Sequence, residues 1–361
     1  MTPLTVLTSA VGLGAYVAAL LHHALLRDAG YRVDVEVVEG WFTDHHIERH
    51  LIHQEAFHRD FRLALAGRRM AGSVEGRLDD ERISRLLAAW RGDGRARFFV
   101  WSGYWLPVLE RYAASVPDER IELDFCFSDA IESDSFRVHH EPAGVQRRDV
   151  WLWNWRRRAL GTRLPVPAGA PLAFADRARR LVAHGGGWGL GTYADLLTEL
   201  SLAGYALDVL GPGSPEWEGR GPLDRRYVGD PEWHPWLRNA AGDLIFPPLG
   251  EVRPDGEVRY RSELGFPAAH VNVREAMAVV SKPGGGTLLD SLAAATPIVL
   301  LAPWGEPESK NAALWEELGF GIDFQRWRTT GFDHRVLEEL HHRLLEAGEQ
   351  DIDPLVAEAI A

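Results

Sequence analysis

Residues 12–35 read GLGAYVAALLHHALLRDAGYRVDV, and residues 189–209 read GLGTYADLLTELSLAGYALDV. Both open on Gly-Leu-Gly-x-Tyr, pass through an amphipathic stretch to Ala-Gly-Tyr, and enter an apolar run that holds Asp-Val. Strand-like runs precede them, LTVLTSA at 4–10 and RRLVAHG at 179–185. Strand, glycine turn, helix, a glycine just past the helix end (Gly30, Gly204) and a second strand make one βαβ unit. Two such openings predict an α/β chain of two Rossmann-like domains of similar size, facing a central cleft. The shared Tyr16/Tyr193 and Tyr31/Tyr205 argue against coincidence. A length of 361 residues agrees, at roughly 100–200 residues per domain.

The rest of the chain alternates in the same way. Strands are expected at 97–103, 120–129, 276–282 and 297–303, and helices at 44–69, 81–91 and 333–348. Residues 161–171, GTRLPVPAGAP, are the best linker. The expected division is residues 1–165, residues 172–332, and a C-terminal helical segment, 333–361, crossing back toward the first half. Residues 211–263, rich in Gly, Pro, Trp and charge, read as mostly loop. Trp151, Trp153 and Trp155 alternate as in a buried strand or an interface.

Composition excludes several classes. Apolar residues are 46% and charged residues 25% of the chain, enough for sizeable cores and unlike a disordered or fibrous protein. The net charge of −13 opposes general nucleic-acid binding, which needs a basic footprint. A single cysteine, Cys126, allows no intrachain disulfide and fits a reducing compartment. No charged side chain precedes Arg27, but Gly12, Gly14, His22 and His23 interrupt the run and no basic n-region leads it. A buried strand and helix explain it better than a membrane span, so a soluble, cytoplasmic protein without stable membrane insertion is expected.

The chemistry concentrates in residues 279–321, VVSKPGGGTLLDSLAAATPIVLLAPWGEPESKNAALWEELGFG. A strand runs into Pro283-Gly284-Gly285-Gly286-Thr287, where a helix begins. Unpaired N–H groups at such a helix start carry partial positive charge and suit a diphosphate, and glycines let the anion come close. Lys282 beside the turn would add a point charge. Asp290, one helical turn past Gly286, comes within reach of vicinal ribose hydroxyls. Both lysines of the chain, Lys282 and Lys310, fall in this segment, while arginine supplies every other basic side chain.

This segment resembles the donor-binding half of GT-B nucleotide-sugar glycosyltransferases. It is most similar to the branch containing the lipid-II-forming N-acetylglucosaminyltransferase and the monogalactosyldiacylglycerol synthases. The matching residues are Gly284, Gly285, Gly286, Thr287, Asp290, Thr296-Pro297, Pro303, Glu308 and Asn311-Ala312, and the likeness extends over about residues 181–321. The resemblance implies that Gly285, Gly286 and Thr287 hold the diphosphate and Asp290, shorter than the usual Glu, the ribose. It implies Glu308 and Asn311 at the hexose, with Glu306 an adjacent candidate. The glycine loop 185–193, with Gly186, Gly187 and Gly189, would lie near the transferred sugar. The nucleotide sugar, a UDP sugar being favoured, is then a co-substrate, and no resident cofactor is implied. Composition and the first loop fit a natural-product tailoring enzyme better than a lipid enzyme.

The first half would then bind a small acceptor. Gly12, Gly14 and Tyr16 form its first loop, and Trp101, Tyr104 and Trp105 favour an aromatic or apolar molecule. Many relatives carry a basic histidine in that loop, where this chain has Gly14-Ala15-Tyr16. Asp129, at a strand's carboxyl end, is the first substitute as base, followed by His45 and His46. His46, His50 and His53 share a helix face but lack zinc-site spacing and any cysteine, so no metal is expected. The expected function is inverting, metal-independent hexosyl transfer. The alternatives are a nucleotide-sugar epimerase of the same fold and a non-catalytic partner that lost its base. A dinucleotide dehydrogenase is disfavoured because Val17 stands where G-x-G-x-x-G needs its third glycine.

Overall fold

A computed structural model of the chain describes residues 3–59, 73–211, 221–262, 264–350 and 355. β1 (Leu4–Thr8) is buried at every position, as a central parallel strand covered on both faces must be. Together with β2 (Val33–Val37), β3 (Arg97–Val100), β4 (Glu122–Phe127) and β5 (Gln146–Trp151) it forms an all-parallel sheet in the order β2-β1-β3-β4-β5. β6 (Trp153–Asn154) and β7 (Ala159–Leu160) make a small antiparallel hairpin.

The second sheet has eight strands. β8 (Arg180–His184), β9 (Ala206–Gly211), β10 (Arg225–Gly229), β11 (Leu249–Val252), β12 (Val258–Arg261), β13 (Ala278–Ser281), β14 (Ile298–Leu300) and β15 (Gly321–Asp323) lie in the order β12-β11-β10-β9-β8-β13-β14-β15. β11 and β12 run antiparallel to their neighbours. The described residues of 211–263 therefore hold three strands, β10 and the β11–β12 hairpin, where sequence pattern showed mostly loop. Their outer positions are half-exposed, so no apolar run marks them.

Strand order reverses between β1 and β3 in one sheet and between β8 and β13 in the other. Crevices open at the carboxyl ends of strands at such points, and here the two crevices face each other. The repeat is visible in the backbone. The first glycine turn leads into a helix at Leu13–Asp28, and the second into a 3₁₀ turn at Tyr193–Leu196 and a helix at Leu197–Leu202. Gly30 and Gly204 close them with φ of 87° and 84°, a left-handed geometry that favours glycine. The expected helix at 44–69 is described as Asp44–Arg59, its remainder lying outside the described residues. The last long helix, His334–Gly348, is capped by Asp333, and Arg163 donates to the carbonyls of Gly348 and Gln350 beyond its end.

One segment of the second half reaches across to the first. Residues 230–248, between β10 and β11, form a strap over the Leu13–Asp28 helix and β2. Arg238 donates to the Val35 carbonyl at 2.8 Å and pairs with Glu36 at 3.3 Å. Arg27 pairs with Asp243, and the Tyr16 hydroxyl donates to the Ile245 carbonyl at 2.8 Å. Trp233 packs edge-on against the Tyr16 ring. Elsewhere the Trp153 and Trp315 rings meet at 5.2 Å, joining the hairpin to the Glu306–Leu318 helix. Among the described residues, no helix is long and apolar enough to cross a membrane.

Candidate active site

The facing crevices enclose a cleft of about 1150 Å³. On the second-half side, the Gly285–Ala294 helix starts at Gly284 without a side-chain cap, so its first N–H groups rely on backbone geometry or a ligand. Lys282 and Glu308 form a buried ion pair at 2.5 Å, and Glu308 also accepts the Trp304 N–H at 2.6 Å. The Lys282 ammonium lies between the two glycine turns. A Cβ built on Gly284 would stand 3.4 Å from it, and one on Gly186 3.5 Å from it.

Asp290 lines the cleft, with one oxygen bonded to His270 at 2.8 Å. His184 lines it too. Its Nδ1 accepts the Gly186 N–H at 2.9 Å, and burial pushes its pKa down to about 4. The imidazole is therefore neutral at pH 7 and shapes the glycine loop. Gly186 and Gly187 line the cleft, whereas Gly189 lies behind it, donating its N–H to the Gly186 carbonyl.

Glycines from both halves meet at the cleft's base. A Cβ on Gly14 would stand 2.8 Å from the Gly286 nitrogen, one on Gly285 2.3 Å from the Ser128 carbonyl oxygen, and one on Gly187 2.2 Å from Leu13 Cδ1. Side chains at these positions would hold the halves apart. Gly12, Gly14, Thr287, Trp101 and Tyr104 also border the cleft. So do Val11, Leu51, Phe127 and Ile131, which make the first-half wall largely apolar.

Several expected site residues lie elsewhere. Asn311 is fully buried, and its amide is engaged with the protein: it donates to Asp129 at 2.7 Å and to the Pro283 carbonyl at 2.9 Å, and accepts the Ala130 N–H at 2.7 Å. It braces the two halves rather than meeting a hexose. Glu306 is an exposed partner of Arg137 at 2.8 Å, outside the cleft. Tyr16 is buried and bonded to the strap, and Trp105 is core, donating to the Thr8 carbonyl at 2.7 Å. His45 and His46 stand off the cleft on the Asp44–Arg59 helix, where His46 bonds Thr43 at 2.8 Å. Lys310 sits over the Trp155 ring, 4.6 Å from its centre, opposite no cleft residue. Asp129 does border the cleft, oriented by Asn311. The side chains of His50 and His53 lie outside the described residues, and among those described no group of three or more His, Cys, Asp or Glu is arranged to hold a metal ion.

The sequence reading missed Glu39, His184, Trp188 and the strap's Trp233. Glu39 had a signal, being an acid inside the apolar run that ends β2. The others follow only from the way the halves pack.

No family model matches the chain, and no curated protein matches it in sequence. Solved structures do match in shape over nearly the whole length. The glycosyltransferase SnogD from Streptomyces nogalater superposes with a TM-score of 0.55 at 16% identity, over 99% of this chain and 98% of that one. The glycotransferase of kitacinnamycin gives 0.53 at 13%, over 99% and 97%. The glycosyltransferase VinC, solved in complex with DTDP, gives 0.51 at 15%, over 99% and 97%. This chain has the GT-B fold. The strap, the glycine contacts and Asn311 together join the two Rossmann-like domains across the cleft.

Proposed function

We propose that this chain is a glycosyltransferase that moves a sugar from a nucleoside diphosphate sugar to an aromatic or apolar small molecule, as a tailoring enzyme of natural products. The observation that carries the reading is the meeting of two glycine turns, one per domain, beneath a cleft that has an uncapped helix start on one side and a largely apolar wall on the other. The uncapped start of the Gly285–Ala294 helix and Lys282 would receive the diphosphate, with Thr287 beside them and Asp290 at the ribose. Trp101, Tyr104, Phe127 and Ile131 would hold the acceptor.

The acceptor hydroxyl attacks the anomeric carbon while the bond from that carbon to the diphosphate oxygen breaks. Negative charge collects on the leaving diphosphate, where helix N–H groups and the Lys282 ammonium stabilise it without reorganising. These fixed charges would let the reaction run without a metal, and the single direct displacement would invert the anomeric centre. The proton goes to Asp129, whose carboxylate Asn311 holds at the cleft wall. The bound DTDP of VinC favours a thymidine nucleotide as the first probe, with UDP second.

The test incubates the protein with TDP and UDP sugars and a panel of aromatic polyketide and flavonoid acceptors, reading product mass. Transfer supports the reading, and Asp129→Asn should then lose most turnover while keeping nucleotide affinity. Absence of calorimetric binding to both nucleotides would remove the donor site. Binding without transfer by the parent would favour the non-catalytic alternative.

A further inference from the structure

The loop after β1 is gripped from two sides by residues of different domains. Glu39 is fully buried in the short turn Val38–Trp41 that follows β2. Both of its carboxylate oxygens accept the Ala10 N–H at 3.0 Å, and the N–H groups of Val11 and of Glu39 itself bond it as well. From the opposite domain the Trp188 indole N–H donates to the Ala10 carbonyl at 3.0 Å. Ala10 is itself fully buried, and just past Gly12 come Leu13 and Gly14, which meet Gly187 and Gly286.

We infer that Glu39 and Trp188 are positioning residues which, through Ala10, set the first glycine turn against the donor domain for sugar transfer. The inference rests on the transferase reading for its kinetic consequence, but not for its structural one. Glu39 has no other evident task, and Trp188 otherwise borders the cleft. A buried carboxylate with no basic partner in hydrogen-bond contact is costly, and here backbone N–H groups alone satisfy it. Trp188 replaces what would be a small or flexible residue in a glycine loop with an indole that crosses the domain boundary.

The groups facing Glu39 are few. Arg77 comes from the turn Glu75–Arg77 and favours its charge, while Tyr104 comes from the turn Gly103–Trp105 and itself borders the cleft. Burial pushes the Glu39 pKa up to about 7. Ionised, the carboxylate serves three N–H groups. Protonated, it turns one oxygen into a donor and loosens the turn. Activity should thus fall on the acid side of about pH 7. Folding stability responds in the opposite sense: a carboxyl with a raised folded pKa binds its proton more tightly when folded, so its contribution rises as pH falls from 7 toward 4.5. A purely structural glutamate would move both together.

Glu39→Gln, Trp188→Phe and the double variant test this on the full chain. Glu39→Gln should keep the parent's urea midpoint at pH 8 or exceed it, yet lose about 10-fold or more in kcat and lack the acid limb near pH 7. Trp188→Phe should lower kcat similarly, with dTDP affinity unchanged within about threefold because the donor turns are intact. The double variant should lose little more than the worse single variant, since both act on one turn. Hydrogen exchange gives a readout independent of turnover: amides 10–14 should lose protection in each single variant. Parent-like exchange at amides 10–14 in both variants overturns the inference, as does an unchanged pH profile in an active Glu39→Gln enzyme. A parent that transfers no sugar but shows the exchange effect refutes the transferase reading and leaves the positioning standing.

Discussion

Replacing Asn311 by Asp is nearly isosteric and tests whether the domains are braced through this amide. The amide donates twice, to Asp129 and to Pro283, and accepts once, from Ala130, with no exposure to water. The aspartate keeps the acceptor and loses both donors. The Pro283 carbonyl, left unpaired in the interior, costs about 1–3 kcal/mol, whereas Asp129 borders the cleft and is reached by water. Asp129 then faces a second carboxylate within hydrogen-bond distance, and burial also disfavours charge there, so the new carboxyl's pKa is raised in the folded state. Protonation restores one donor. The penalty is therefore largest above that raised pKa and shrinks as pH falls through it. Urea unfolding at pH 8 and pH 5.5 measures this. With m of about 3 kcal/mol/M, the expected loss at pH 8 is about 0.3–1 M in midpoint, partly recovered at pH 5.5. Asn311→Ala, which cannot titrate, should lose stability equally at both values. A parent-like midpoint for Asn311→Asp at pH 8, or a penalty indifferent to pH, would refute the brace.

Lys282→Met strands Glu308 as an unpaired buried charge and should cost about 3–5 kcal/mol in unfolding experiments. Adding Glu308→Gln should recover most of that stability while calorimetry still shows dTDP bound about 10-fold more weakly. Gly285→Ala places a Cβ 2.3 Å from the Ser128 carbonyl, forcing the domains apart by about 1 Å, and transfer should fall about 100-fold in a folded protein. Parent-like turnover would show that this contact is not formed during reaction. His184 and His22 have folded pKa values of about 4 and about 3, below the ordinary 6.5, because burial disfavours their charged forms. The unfolded chain then binds more protons, so stability should fall as pH drops from 6.5 to 4, and His184→Asn should flatten that slope in urea midpoints.

The inner strands of both Rossmann-like sheets were legible in the sequence because they are buried on both faces and their turns need glycine. The repeat at Gly12 and Gly189 marked the two first turns, and Lys282–Asp290 marked a strand, turn and helix that the structure retains. Element types survived better than element roles. Asn311 and Glu306 sit three and two residues from Glu308 on one helix, yet packing sends one into the interface and the other to Arg137. Helical spacing alone does not say which face meets the other domain. Tyr16 stood in the first glycine loop and Trp105 near a strand end, and only tertiary packing assigns them to a strap and a core. Half-exposed β11 and β12 carry no apolar run, which is why 211–263 read as loop.

The strap at 230–248 changes how this protein can be taken apart. β2 is the edge of the first sheet, and an uncovered parallel edge invites pairing with other chains. Arg238 on the Val35 carbonyl and the packing of Trp233 on Tyr16 cover that side with sequence from the other domain. The domains are thus not interchangeable modules. A chimera that joins this acceptor half to a foreign donor half exposes the β2 edge and leaves Tyr16 without its partner, unless residues 230–248 travel with the half they cover. Exchange experiments with this chain should therefore keep 230–248 with the first half, cutting on either side of that segment as well as at the linker.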